Sequence, residues 1–168
     1  MAADKYKQNI TVQITKKIEG IDINLRSLKR LVKTICTRFE ISNAAVDITI
    51  TGDAEIRRVN KRFLNRVYTT DCISFDLSDN TNPSKLFELI VNGELAVRQA
   101  GRRGHSPEAE LALYITHGLL HNLGFDDLKD KQAKKMHNTE DEILQQFGYG
   151  LIYNSSTGRK TGKPAAGK

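Results

Sequence analysis

Long hydrophobic runs are missing from this chain. No apolar stretch approaches the roughly 18 residues a membrane span needs. The first residues, Met1-Ala2-Ala3-Asp4-Lys5-Tyr6-Lys7, lack the apolar core of a secretory signal. No membrane association and a cytoplasmic location are therefore expected. Only two cysteines are present. Cys36 keeps helical spacing with Leu31, Ile35 and Phe39, and Cys72 sits in an apolar, strand-like run. Both read as small buried hydrophobes in a reducing compartment, not as a disulfide or a ligand pair. Tryptophan is absent and tyrosine numbers five, so no aromatic platform for stacking bases is evident. Acid is missing from residues 154–168, which carry Arg159, Lys160, Lys163 and Lys168. Most of the net charge of +6 thus lies in that tail, and the body is too close to neutral for a strongly basic nucleic-acid-binding domain.

What is present suits one ordinary domain: 168 residues, 39% apolar and 27% charged, neither a disordered chain nor two separate cores. A single domain is expected over 1–153, followed by a basic tail over 154–168 too polar to bury a core. Ile10–Thr15 alternates with period two and predicts a strand. Leu25, Leu28, Leu31, Val32, Ile35 and Phe39 form one helical stripe behind Asn24, a capping residue. Val46–Ile50 alternates again. Asp53 then reads as the cap of a helix reaching about Leu64, with Ile56, Val59, Asn60 and Phe63 inward. Strands follow at 71–77 and from Leu86 to Val97, running through Gly93. The turn formers of 78–84 between them favour antiparallel pairing. Ser106-Pro107-Glu108 starts a helix that Gly124 stops, and a last helix spans about Asp130 to Phe147. The order β-α-β-α-β-β-α-α predicts an α+β domain, a mixed sheet of about four strands packed with helices.

Chemistry concentrates in His117-Gly-Leu-Leu-His121-Asn-Leu-Gly124-Phe-Asp126-Asp127. Histidines at i and i+4 lie on one helix face, about 6 Å apart along the axis, and both imidazoles can reach one metal ion. Gly124 can end the helix in a left-handed conformation and return Asp126 or Asp127 to the pair. Asp127 stands ten residues after His117, the offset of the third ligand in H-x-x-x-H-x-x-G-x-x-H sites. Two imidazoles and one carboxylate with an open fourth position make a catalytic rather than a closed structural zinc arrangement. The alternative is a pair of surface or core-satisfied histidines with no ion. His105 and His137 each stand alone in polar stretches and read as surface residues, His137 with some chance of bordering the cleft. The position after His117, where a zinc protease keeps its glutamate base, is Gly118, which argues against peptide hydrolysis.

These segments resemble the YbeY family of bacterial endoribonucleases, metal-dependent enzymes of ribosomal RNA maturation. His117-Gly-Leu-Leu-His121 through Gly124-Phe-Asp is similar to that family's H-G-x-L-H-x-x-G-[YF]-D-[HD] signature. Thr70-Asp71-Cys72-Ile73-Ser74-Phe75 is similar to its T-D-V-L-S-F strand, and Gly93-Glu94-Leu95 to its G-D-[IL] strand. Met136, Ile143, Leu144 and Gly148 follow its closing M-x-x-x-E-x-x-I-L-x-x-x-G helix. The resemblance implies a metal helix facing the sheet across a cleft. It also implies a zinc enzyme cutting single-stranded RNA, with ribosomal RNA and the small ribosomal subunit as partners and a part in ribosome quality control. By position, His117, His121 and Asp127 would hold one Zn²⁺. Two departures stand out: the third ligand is more often histidine, and Leu64 occupies the place of an arginine found in some members.

On this reading, zinc-bound water attacks a phosphodiester while Arg62 and Arg66 hold phosphates and offset developing charge. Asp126 is a candidate to orient a ligand or relay a proton, or else merely finishes the turn. Asp71 and Ser74, on the strand bordering the cleft, are candidates for RNA contact. Two other readings stay open: a metal hydrolase of a non-RNA substrate, and a ribosome-associated factor whose metal is structural.

Overall fold

The computed structural model describes residues 8–150; residues 1–7 and 151–168, which take in the ends of the expected domain and the expected tail 154–168, lie outside the described residues. Nine elements follow in order: β1 (Asn9–Lys16), α1 (Leu25–Arg38), β2 (Asn43–Thr51), α2 (Asp53–Leu64), β3 (Cys72–Asp76), β4 (Lys85–Asn92), α3 (Gly93–Arg103), α4 (Pro107–Asn122) and α5 (Asp130–Gln146). The expected α+β architecture with a mixed four-stranded sheet is present. Strand order is β1-β2-β4-β3, with β1, β2 and β4 parallel and β3 antiparallel at the edge.

Alternation decides which face is covered. Ile10, Val12 and Ile14 of β1, Val46, Ile48 and Ile50 of β2, and Phe87, Leu89 and Val91 of β4 all point to one side and are buried. Each such side chain contributes ~1.5–3 kcal/mol of transfer free energy. α1 and α4 pack on that side. α1 begins where Asn24 accepts the Ser27 N–H at 3.2 Å. α4 begins at Ser106, which accepts the Ala109 N–H at 3.1 Å, with Pro107 in the first turn. α4 is buried almost all round, from Ala109 to Thr116 and from Gly118 to Leu120, because α3, α5 and the sheet enclose it.

Three expectations need correction. The predicted strand from Leu86 through Gly93 to Val97 stops at Asn92, and a separate helix α3 starts at Gly93. Asn92 makes the break: its side-chain oxygen accepts the Leu95 N–H at 3.0 Å and caps the new helix. Gly93 is needed there, since a Cβ would meet the Ile18 side chain. Asp53 is not the cap of α2. Gly52 holds that position, and the Asp53 carboxylate instead pairs with Arg98 at 2.7 Å and Asn92 Nδ2 at 2.7 Å. Phe63 is not on the inner face; it is 59% exposed, while Ile56, Val59 and Asn60 are buried. The two cysteines are free thiols, Cys36 buried and Cys72 half-buried against α4.

Candidate metal centre

The site begins with how α4 ends. The Phe125 N–H reaches the Leu120 carbonyl at 2.9 Å and the Gly124 N–H reaches that of His121 at 3.0 Å. With Gly124 at φ +94°, this is a Schellman closure, a conformation that disfavours any residue with a Cβ. The reversal brings the chain back over the helix end. It sets the Phe125 carbonyl 3.1 Å from His121 Nδ1 and leads into Asp127. Asp126 accepts the Leu128 N–H at 3.0 Å, so its carboxylate closes the turn that aims its neighbour.

His117, His121 and Asp127 come together as expected, each offering a donor atom within 4.8 Å of the others. The two Nε2 atoms are 3.0 Å apart, and Asp127 Oδ2 lies 3.8 Å from His117 Nε2 and 3.7 Å from His121 Nε2. Tautomers follow from the outer nitrogens. His121 Nδ1 faces a carbonyl, which only accepts, so it must carry the proton. His117 Nδ1 donates to Glu140 Oε1 at 2.6 Å. In the neutral rings both Nε2 atoms therefore present lone pairs to each other at 3.0 Å, which is repulsive unless a proton on His117 or a metal ion lies between them. A tetrahedral zinc site would separate such donors by about 3.3 Å. The donor set fits a divalent metal.

Glu140 is the residue the sequence reading missed. It is fully buried, and its second oxygen accepts from His137 Nδ1 at 3.0 Å. His137 is thus part of the site and not a lone surface residue: its ring stacks 6.5 Å from that of His117 at an interplanar angle of 10°. The signal was available, because Glu140 occupies the glutamate of the closing helix pattern, four residues after Met136. His105 is half-buried, close enough for its charge to act on the buried Glu110. Burial opposes the His117 imidazolium, but the Glu140 hydrogen bond and charge outweigh it, with Asp71 and Asp127 adding; the His117 pKa is raised above the ordinary imidazole value.

The remaining candidates spread around β3. Ser74 is half-buried on the same strand face as Cys72, whose Sγ abuts Gly118 of α4, so Ser74 faces the metal helix. Asp71 accepts the Cys72 N–H at 2.7 Å, and its charge reaches His117. Arg62 and Arg66 are exposed at the end of α2, which packs on the other side of the sheet. Leu64 is 42% exposed beside them. Two arginines of α3 are engaged in structure: Arg98 pairs with Asp53, and Arg103 with the buried Glu110.

A histidine pair on a central helix, closed by a glycine turn and facing an edge strand, describes a hydrolase-type site on an α+β sheet whose donors could hold a metal ion. Residues 13–148 match the family model described as Endoribonuclease YbeY. Endoribonuclease YbeY of Shouchella clausii is 33% identical over 117 residues, covering 62% of this chain and 73% of that protein. The Endoribonuclease YbeY of Myxococcus xanthus is 30% identical over 146 residues, covering 84% of this chain, which spans about half (49%) of that longer protein. A solution structure from Thermotoga maritima superposes with a TM-score of 0.53 at 20% identity, covering 95% of this chain and 99% of that one, and shows the same fold. The chain belongs to the YbeY endoribonuclease family, and with it to the hydrolases acting in RNA processing. No helix among the described residues is long and apolar enough to cross a membrane.

Proposed function

We propose that this chain is a zinc-dependent endoribonuclease cutting single-stranded RNA in ribosomal RNA maturation and ribosome quality control. Its partners on this reading are ribosomal RNA and the small ribosomal subunit, in the cytoplasm. The observation that carries the reading is the opposed Nε2 pair at 3.0 Å with Asp127 Oδ2 completing a triangle, in a chain of this family.

His117, His121 and Asp127 would hold the ion. Zinc held there would supply an acidified water, with a pKa toward about 7, and Lewis acidity toward a phosphoryl oxygen. The protein's own part is orientation. Glu140 fixes the His117 ring and tautomer, and the Phe125 carbonyl fixes those of His121. Asp126 acts on Asp127 through the turn and is a positioning residue on this geometry. Arg62 and Arg66, across the β3 edge on the other side of the sheet, would supply positive charge for phosphates of the bound strand away from the metal, Arg66 in place of the arginine absent at Leu64. Ser74 and Asp71 border the path between them.

Metal content and cleavage of an unstructured RNA should be measured together for the wild type, His121→Ala and Asp127→Ala. One zinc per chain and cutting in the wild type, with both lost in the variants, is the expected result. Zinc retained by Asp127→Ala would remove Asp127 from the site. Full metal loading with no cleavage would leave a structural metal in a ribosome-associated factor.

A further inference from the structure

Among the described residues, four of the eight large exposed apolar side chains fall within six positions of one another in sequence. Phe63 is 59% exposed, Leu64 42%, Val67 79% and Tyr68 54%, all at the end of α2 and the turn that follows. The stretch 56–70 around them contains five basic residues and no acid. The guanidinium carbon of Arg62 lies 5.2 Å from the Phe63 ring centroid, and that of Arg66 lies 6.0 Å from the Tyr68 centroid. The patch is built, not loose. Asn65 at φ +50° reverses the chain, and buried Asn60 ties the turn back to the helix. Its Nδ2 donates to the Tyr68 carbonyl at 2.8 Å, and its own carbonyl accepts the Arg66 N–H at 3.1 Å. Phe63 follows Asn60 by one helical turn, and the Asn60–Tyr68 bond holds residue 68 against the same end of α2.

We infer that Phe63 and Tyr68, with Arg62 and Arg66, form a base-stacking platform that grips unpaired bases of the RNA strand engaged at the metal centre. The inference rests on the endoribonuclease reading and extends it to how single strands are selected. An apolar patch alone would suit many partners, but alternating rings and guanidinium groups favour nucleic acid: rings and guanidinium planes take base faces, and the cations take phosphates. A duplex keeps its bases stacked on each other and offers no free face. The platform lies across edge strand β3 from the site, on the other side of the sheet. Phe63 meets Phe75 of β3 edge-on at 5.7 Å, and Asn122, next to ligand His121, reaches the Phe75 carbonyl from α4 at 3.5 Å. One strand can therefore cross the β3 edge from the metal ligands to the rings.

The test is fluorescence anisotropy of the full chain with a labelled 2′-O-methyl oligonucleotide of about twelve residues, within the span single-strand sites cover. An abasic strand of equal length is the control. Tyr68→Ala, whose backbone anchor at Asn60 remains, should weaken binding of the base-bearing strand about tenfold. It should leave the abasic strand unchanged, and Tyr68→Phe should restore affinity. Phe63→Ala should behave alike, with its melting temperature measured because Phe63 packs on Phe75. Arg62→Gln and Arg66→Gln should each lower the salt dependence of binding by about one ion, on both strands. Wild-type affinity in Tyr68→Ala, or equal loss on both strands, overturns the platform. No binding of either strand by the wild type also overturns it and assigns the patch to a protein partner. Cleavage of unmodified RNA by zinc-loaded wild type separates the two readings. Cutting with no effect of the ring variants on binding sinks the platform alone. Ring-dependent binding without cutting sinks the nuclease reading alone.

Discussion

Replacing Glu140 by Gln tests whether the metal centre is organised from behind. Glu140 is fully buried and accepts from His117 Nδ1 at 2.6 Å and His137 Nδ1 at 3.0 Å. Gln keeps the volume and one carbonyl oxygen, so the His117 bond can survive as a neutral one. The amide nitrogen then opposes the His137 N–H, donor against donor, and the negative charge that strengthens His117 as a ligand is gone. Losing such an outer partner costs about ten- to a hundredfold in metal affinity, or about 1.4–2.7 kcal/mol. The metal-free fold should change by no more than about 1 kcal/mol, because the lost charge-assisted bonds are offset by relief from holding a carboxylate out of water. Zinc affinity by competition with a chromophoric chelator and thermal melting of the metal-free chain separate these effects. Unchanged zinc affinity in Glu140→Gln would refute the reasoning. An equal loss of affinity and fold stability would reduce Glu140 to a packing residue.

Gly124→Ala should cost about 1–2 kcal/mol in melting experiments, since the φ of +94° is strained for alanine. Zinc affinity should fall beyond that, because the same turn carries the Phe125 carbonyl and Asp127. Zinc stabilisation should depend on pH. The raised His117 pKa stabilises the metal-free fold below the ordinary imidazole range and ceases to do so as pH rises through the folded value, so metal-free melting from this group favours pH 6 over pH 8. Zinc requires the unprotonated ring, so the melting increment it gives should be larger at pH 8 than at pH 6. Cys36, buried with its pKa pushed up to about 11, should resist a thiol reagent at pH 8 until the chain is unfolded. Its raised value means its contribution to stability is lost as pH rises from about 9 toward 11.

Most elements were readable because burial is periodic in them. α1 and the first two strands each turn one face inward, and their boundaries agree with the alternation to within a few residues. α3 was lost because its start is held by partners distant in sequence. Leu86–Val97 is mostly apolar around Glu88, Asn92 and Glu94, and the strand-to-helix switch depends on the Asn92 side chain, which caps α3 and also donates to Asp53 Oδ1, Thr69 Oγ1 and the Thr70 carbonyl. Those partners lie 22 to 39 residues away, and no periodicity reports them. The same contacts took Asp53 from its expected capping role: its carboxyl group, held well below the usual carboxylate range by Arg98 and then Asn92, joins α2 to α3.

The site divides along the same line. His117, His121 and Asp127 were legible because a helix and a tight turn fix their relative positions within ten residues. Glu140 and His137 arrive from α5, and only the packing of α5 on α4 brings them to His117. Gly118 shows what spacing alone can and cannot settle. Its lack of a side chain argued against a protease, since the base is absent from the sequence. The structure supplies a stronger reason: a Cβ at 118 would stand 2.7 Å from Cys72 Sγ and 2.9 Å from Leu89 Cδ2, so that position faces the sheet, not the cleft. No side chain placed there could reach a substrate without driving α4 off β3 and β4. A side chain that moves protons in this centre must therefore come from another element: the turn after α4, β3, or α5, which carries Glu140 and His137.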